Sequence, residues 1–271
     1  MMFLIPTAFA LTIPPDSLLN QTDRSWTLHP QFEIGTLAPL SHHIKLGKEG
    51  TDFDYIKDGG QDNLFRYTRW EMEFRNNRHS YRFLLQPLDL TTRAVAKEDL
   101  RFDYTSFQAG TPLIFRYGFD YYRASYSYDL LEDEDRDLFV GCSLQIRNAT
   151  LDFRSLNGDS MDSNRDIGPV PLLKVQGRYE LSKGKWWGFE ADGSYAPIKY
   201  LNGDVSDVVG AILDSSVRAG FKLKNGVDTY LNLRYVGGGA EGTERDPDPG
   251  KDGYVENWLH LMSFSIGFTL R

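Results

Sequence analysis

The sequence predicts an all-β chain whose strands close into a single antiparallel barrel. Three observations point there. The chain divides into runs in which large apolar and polar side chains alternate, which is the period of a strand. Helical periodicity is nearly absent, and no stretch approaches the roughly 18 consecutive apolar residues of a spanning helix. The final run alternates throughout: Phe264, Ile266, Phe268 and Leu270 fall on one face, and Ser263, Ser265, Gly267 and Thr269 on the other.

Turn clusters separate the runs. The first spans Trp26 to Thr36. Leu64 to Arg75 follows, then a tight Asn76-Asn77-Arg78 turn, then His79 to Leu90. Leu100 to Gln108 is short, whereas Thr111 to Leu130 and Asp137 to Leu156 are long. Leu172 to Leu181, Trp186 to Tyr195, Val208 to Leu223, Val227 to Val236 and Tyr254 to Arg271 complete the set. His43 to Lys48 is a further candidate. A spanning barrel made of one chain has an even strand number, so ten and twelve are both compatible, and twelve is preferred.

The faces divide by chemistry. Trp70, Met72 and Phe74 oppose Arg69, Glu71, Glu73 and Arg75; Trp187, Phe189 and Ala191 oppose Glu190 and Asp192; Val217, Ala219 and Phe221 oppose Arg218 and Lys222. A soluble sheet would put the apolar face in a core and the charged face in water. Aromatics at 14% and a candidate export signal favour the opposite assignment, with the apolar face to lipid and the charged face to a polar lumen. The residues then expected to line the lumen are Arg69, Glu71, Glu73, Arg75, Arg116, Asp120, Arg147, Arg178, Glu190, Asp192, Arg218 and Arg234. Arg82, Arg101, Asp103, Lys174, Glu180 and Asp214 share that parity. Trp26, Trp70, Trp186, Trp187 and Trp258 are expected at the membrane rims.

The two long runs change parity. Leu113 to Tyr121 carries its apolar set on odd positions, and Tyr122 to Tyr128 on even ones. The next run moves from even (Leu138 to Ile146) to odd (Ala149 to Phe153). A bulge or bend in a long hairpin that continues beyond the bilayer is the expected cause. The acidic segment Asp129 to Asp137 joins these runs. It reads as a solvated outer loop, with divalent cations bridging lipopolysaccharide phosphates as the functional alternative.

Composition removes other classes. A net charge of -8 argues against a nucleic-acid binder. The single Cys142 allows no intrachain disulfide and reads as a small apolar strand residue. No metal or cofactor motif is present. Residues 1–10 end in Ala8-Phe9-Ala10 behind an apolar stretch and read as a signal-peptide remnant, 11–25 as an N-terminal segment, and 26–271 as one barrel domain. Enzymatic chemistry needs a histidine beside a nucleophile and an orienting group. The fallback group is Ser41, His42 and His43 with Asp52 or Asp54.

From Trp26 to Arg271 the chain resembles the Gram-negative outer-membrane β-barrels. The resemblance rests on Phe264-x-Ile266-x-Phe268-x-Leu270, the two-faced runs and the rim tryptophans. The chain departs from the usual aromatic terminus in ending Leu270-Arg271. The resemblance implies location in the outer membrane, contact with its lipid and lipopolysaccharide, and recognition by the barrel-assembly machinery. It carries no activity. The expected role is structural or that of a small-solute channel with an ion-paired lumen. The alternatives are a barrel hydrolase acting on lipid or lipopolysaccharide, and a soluble exported β-barrel or sandwich that binds a ligand.

Overall fold

A computed structural model describes residues 26–131, 133, 135–158, 161–182, 184–197, 208–223, 226–243 and 251–271. The 1–10 and 11–25 segments lie outside the described residues. The strands are β1 (Thr27–Leu46), β2 (Phe53–Asp54), β3 (Phe65–Asn76), β4 (His79–Gln86), β5 (Asp89–Val95), β6 (Leu100–Phe102), β7 (Thr105–Phe107), β8 (Pro112–Phe119), β9 (Tyr121–Asp129), β10 (Arg136–Ser155), β11 (Met161–Ser182), β12 (Lys185–Pro197), β13 (Val209–Lys222), β14 (Val227–Thr243) and β15 (Tyr254–Leu270).

Ten of them close an antiparallel barrel in the order β1, β3, β4, β9, β10, β11, β12, β13, β14, β15, with β15 returning to β1. The preferred count of twelve is therefore corrected to ten. The run Leu100 to Gln108 is not a stave: it forms the small β6–β7 hairpin, which pairs only with itself. His43 to Lys48 is no separate strand either, because Ile44 and Leu46 continue β1 against β15.

Chain reversals sort by length. The β3–β4, β11–β12 and β13–β14 connections are tight and lie at the end where β1 begins and β15 finishes. Asn77 takes a left-handed φ of 53° in the first of them, a conformation that asparagine tolerates better than most residues. The β9–β10 connection, which holds the acidic segment, sits at this same end, since Phe139 pairs with Asp129. Longer excursions at 47–64 and 96–111 lie at the other end. Short inner turns with longer outer loops are the outer-membrane pattern. By that pattern the acidic segment, expected in an outer loop, lies instead at the short-turn end of the barrel. Among the described residues no group of three or more His, Cys, Asp or Glu side chains could hold a metal ion.

Over the inner half of the barrel the apolar face points out and the charged face in. Trp70, Phe83, Val217, Leu233, Phe264, Ile266 and Phe268 are exposed, while Arg69, Glu71, Glu190, Asp214 and Arg234 are buried. β4 and β9 contribute eight and nine residues to this belt. At about 3.3 Å per residue and a tilt near 40°, that is a layer roughly 20–25 Å tall, the height of a hydrocarbon core. The apolar belt, the antiparallel closure and the even strand count make this an outer-membrane β-barrel. Trp26, Trp70 and Trp187 stand exposed on its outside. Trp186 is corrected: it is 5% exposed and points into the lumen, because strand alternation cannot send two adjacent tryptophans the same way.

Beyond the belt the same strands continue with their faces exchanged. β8 and β9 pair with β10 in one uninterrupted register, Phe119 with Ala149 and Tyr122 with Ile146. Odd residues of β8 and β9 face inward throughout, Leu113 as much as Arg123. The predicted bulge is therefore absent. The backbone parity holds and the chemistry inverts, because the outer solvent changes from lipid to water. β4 and β5 behave likewise, both following one register against β9 and β8. A true bulge occurs in β1 between Pro39 and Ser41. Above the belt, inward Leu90, Leu113, Phe115 and Phe153 pack on Phe53 and Tyr55 from the 47–64 excursion and on Phe102 from the hairpin. This outer crown thus has an apolar core, in which the Phe102 and Phe153 rings stack with centroids 3.8 Å apart.

Candidate functional site: a charge-matched lumen between crown and inner mouth

Inward positions in the belt bring both signs of charge to the barrel axis. Glu190 on β12 is the hub. Lys174 of β11 lies 2.6 Å from it, Arg234 of β14 3.2 Å and Arg69 of β3 3.5 Å, and Arg218 of β13 closes on its second oxygen. Arg123 of β9 forms ion pairs with Asp192 and Asp214 at 3.0 Å each. Arg82 bridges Glu71 at 2.8 Å and Glu73 at 2.9 Å, and Arg75 joins Glu73 at 2.6 Å and Asp137 at 3.1 Å. Glu33 accepts from Tyr230 at 3.0 Å, Asn232 at 2.9 Å and Ser265 at 3.1 Å. Arg69 and Arg234 are 1% and 0% exposed, so both guanidinium groups are enclosed by their partners. Arginine suits this task because its planar fork serves several carboxylates from one fixed position. Among the described residues the carboxylates Glu33, Glu71, Glu73, Glu190, Asp192 and Asp214 interleave with Arg69, Arg82, Arg123, Lys174, Arg218 and Arg234, which offsets the cost of burying each charge.

Toward the inner end the lumen widens into a recess of about 240 Å³. Arg178 lies 3.8 Å above the Trp186 ring, pairs ionically with Asp228 at 2.9 Å and donates a hydrogen bond to Glu180 at 3.1 Å. Arg271, placed by alternation opposite the lipid-facing Leu270, reaches Asp228 at 2.6 Å. The terminal arginine therefore serves the lumen mouth instead of the aromatic girdle. Two buried atoms of the recess, Gln176 Oε1 and Trp186 Nε1, have no hydrogen-bond partner among the described residues. They suit ordered water or a small polar guest.

The structure places the expected lumen residues unequally. Arg69, Glu71, Glu73, Arg75, Arg178, Glu190, Asp192, Arg218 and Arg234 face inward within the belt. Arg116 does not: it stands on the outer face of β8, 47% exposed, bonded to Asp89 at 2.8 Å. Asp120 lies on the parity opposite buried Phe119 and Tyr121. Both were assigned by chemistry in a region where the crown has already exchanged the faces. Arg147 lies in β10, but its side chain is outside the described residues. Arg101 and Asp103 belong to the β6–β7 hairpin. Glu33 was missed. The signal was available in Phe32-Glu33-Ile34, a lone carboxylate between lipid-facing side chains.

The fallback enzymatic group is not assembled. His42 points into the crown, fully buried, stacked on Tyr55 at 4.2 Å, with its Nδ1–H donated to Gln61 Oε1 at 2.8 Å. Burial pushes its pKa down to about 4, and the Gln61 bond offsets only part of this. His43, its neighbour in the strand, takes the opposite face and lies 3.8 Å from Asp54. Asp52 is exposed in the 47–64 excursion. None of the described hydrogen bonds joins Ser41 to either histidine, so the nucleophile–base pair that acyl transfer needs is missing.

No protein-family model and no curated protein matches this sequence. Solved structures of similar shape include the outer membrane protease OmpT from Escherichia coli (12% identity, 91% of this chain and 98% of that chain covered, TM-score 0.38). They also include the toluene transporter TodX from Pseudomonas putida (9% identity, 93% and 91% covered, TM-score 0.34). A third is the attachment invasion locus protein Ail of Yersinia pestis (10% identity, 90% and 99% covered, TM-score 0.33).

Proposed function

We propose that this outer-membrane barrel is a structural protein with a sealed lumen, a rigid pedestal that holds the crown above the outer leaflet. The observation that carries the reading is the Glu190 hub, where cations from four staves meet one carboxylate at the barrel axis. A conducting pore needs a hydrated path lined by charges that release the solute. Here the cations are held by carboxylates from facing strands, and the crown core lies over the outer end. The reading ranks the structural role ahead of the small-solute channel.

Reconstitution of the purified full chain into planar bilayers tests it. The expected record is flat, without defined conductance steps at 1 M KCl. Reproducible unitary steps that vanish with inactivated protein would establish a channel and overturn the proposal.

A further inference from the structure

The crown presents one outward sheet face to water, formed by β5, β8, β10 and β11. Register places Arg93, Ile114 and Arg154 side by side across the first three strands, with Thr91, Arg116 and Asp152 in the next row toward the membrane. Arg116 is held by Asp89 at 2.8 Å and by Asp152 at 3.6 Å, so the carboxylates of β5 and β10 nearest this row are engaged. Arg93 and Arg154 are exposed and have no ion-pair or hydrogen-bond partner among the described residues. They flank β8, and at a strand spacing of about 4.8 Å their backbones stand roughly 10 Å apart. The next row outward is apolar: Val95 (54% exposed), Pro112 and Leu156 (57% exposed), the last donating its N–H to the Pro112 carbonyl at 2.9 Å.

In a chain of net charge -8, two unpaired cations on one face stand against the overall sign. Edge protection accounts for Arg93, which lies on the edge strand β5. It does not account for Arg154, because β10 is paired on both sides. Position supplies the missing term. Arg93 of β5 lies eight residues beyond Leu85, the last lipid-facing residue of β4, and the two strands follow one register against β9 and β8, so at a tilt near 40° it stands about 20 Å above the hydrocarbon boundary. That height is beyond acyl chains and reaches the sugar layer of the outer leaflet.

We infer that this face docks the phosphorylated core sugars of lipopolysaccharide, with Arg93 and Arg154 bracketing phosphate and the Val95–Pro112–Leu156 row under the sugar rings. Guanidinium forks match phosphate bidentately, and apolar side chains cover the C–H faces of sugars. The inference rests on the crown facing outward but not on a sealed lumen, so conductance and binding fail separately.

The test measures binding of rough lipopolysaccharide to the full chain in detergent micelles, against the same material after chemical removal of its phosphates. The R93E/R154E double variant should bind intact lipopolysaccharide roughly tenfold or more weakly. Dephosphorylation should weaken the parent protein to a similar extent, and R136E, at the inner turn, should bind as the parent does. Heat-modifiable migration reports folding of each variant, and R93Q/R154Q replaces the double reversal if that one does not fold. Equal affinity of parent and double variant, or affinity indifferent to dephosphorylation, overturns the inference.

Discussion

Tyr117 and Arg123 lie on the same face of one continuous strand path, six residues apart, yet in opposite environments. The Tyr117 ring meets His42 edge-on at 4.7 Å inside the crown, whereas Arg123 pairs ionically with Asp192 and Asp214 at 3.0 Å in the lumen. The outer hydrocarbon boundary falls between them. Within the membrane the outside must be apolar, so the polar residues gather inside. Above it, water takes the outside and the apolar residues gather inside.

Loss of one hub cation should leave carboxylates uncompensated. Arg234→Met removes one cation from Asp214 and Glu190, leaving Asp214 to Arg123 at 3.0 Å and Arg69 at 3.7 Å and one buried negative charge unbalanced, and the expected cost is about 3–5 kcal/mol. Adding Asp214→Asn should recover part of it. Urea unfolding in lipid vesicles followed by tryptophan fluorescence measures both, and strictly additive effects would mean that the two groups do not interact.

Tyr230 lies along the inner wall over Gly267 of the neighbouring strand to reach Glu33 on β1, and Gly267 leaves no room for a Cβ against that ring. Gly267→Ala is expected to destabilise the barrel by roughly 1–3 kcal/mol through overpacking. Tyr230→Leu should relieve the clash, so that the double variant is more stable than the sum of the two single effects predicts.

Crown and belt should come apart under mutation. Phe153→Ala removes a ring that stacks on Phe102 and contacts Phe53, Tyr55 and Phe115, at a cost of about 3–5 kcal/mol. Protease sensitivity should rise at 96–111, while the belt keeps its heat-modifiable migration on gels. Simultaneous loss of both would show one cooperative unit.

The crown should weaken in acid. His42 is held near pKa 4 by burial against about 6.5 unfolded, so the unfolded chain binds more protons between these values. The stability this group contributes is complete above pH 6.5 and falls as pH drops toward 4, by up to about 3 kcal/mol. Crown proteolysis against pH reads the slope, and His42→Phe should flatten it.

Cysteine labelling checks orientation. Tyr104→Cys at the β6–β7 tip should react with an impermeant maleimide on intact cells, and Asp133→Cys only after the outer membrane is opened. Cys142, exposed on the belt between Val140 and Leu144, should react with neither treatment until the protein is unfolded. Labelling of position 133 on intact cells would invert the topology.

Much of this was legible in the residues. The alternation of Arg69 to Arg75, Leu173 to Leu181 and Phe264 to Leu270 gives strands and their two faces, because side-chain direction in a strand is local. Asn76-Asn77-Arg78 marked a tight turn for the same reason. Arg116 and Asp120 were misplaced because alternation says which side chains share a face and not what that face meets. Trp186 was misplaced because two adjacent aromatics gave a strong composition signal and an ambiguous parity.

The sequence by itself determined that the chain is built of two-faced antiparallel strands, that one face carries charges of both signs, and that a membrane could receive the other. Only the tertiary structure decided that ten strands close the barrel, that Leu100 to Gln108 stands outside it, that Glu190 gathers cations from four staves, and that the faces exchange solvents without a bulge. The division has a physical cause. Periodicity is fixed within a few bonds, whereas closure, register and burial depend on strands far apart in the chain meeting across the barrel.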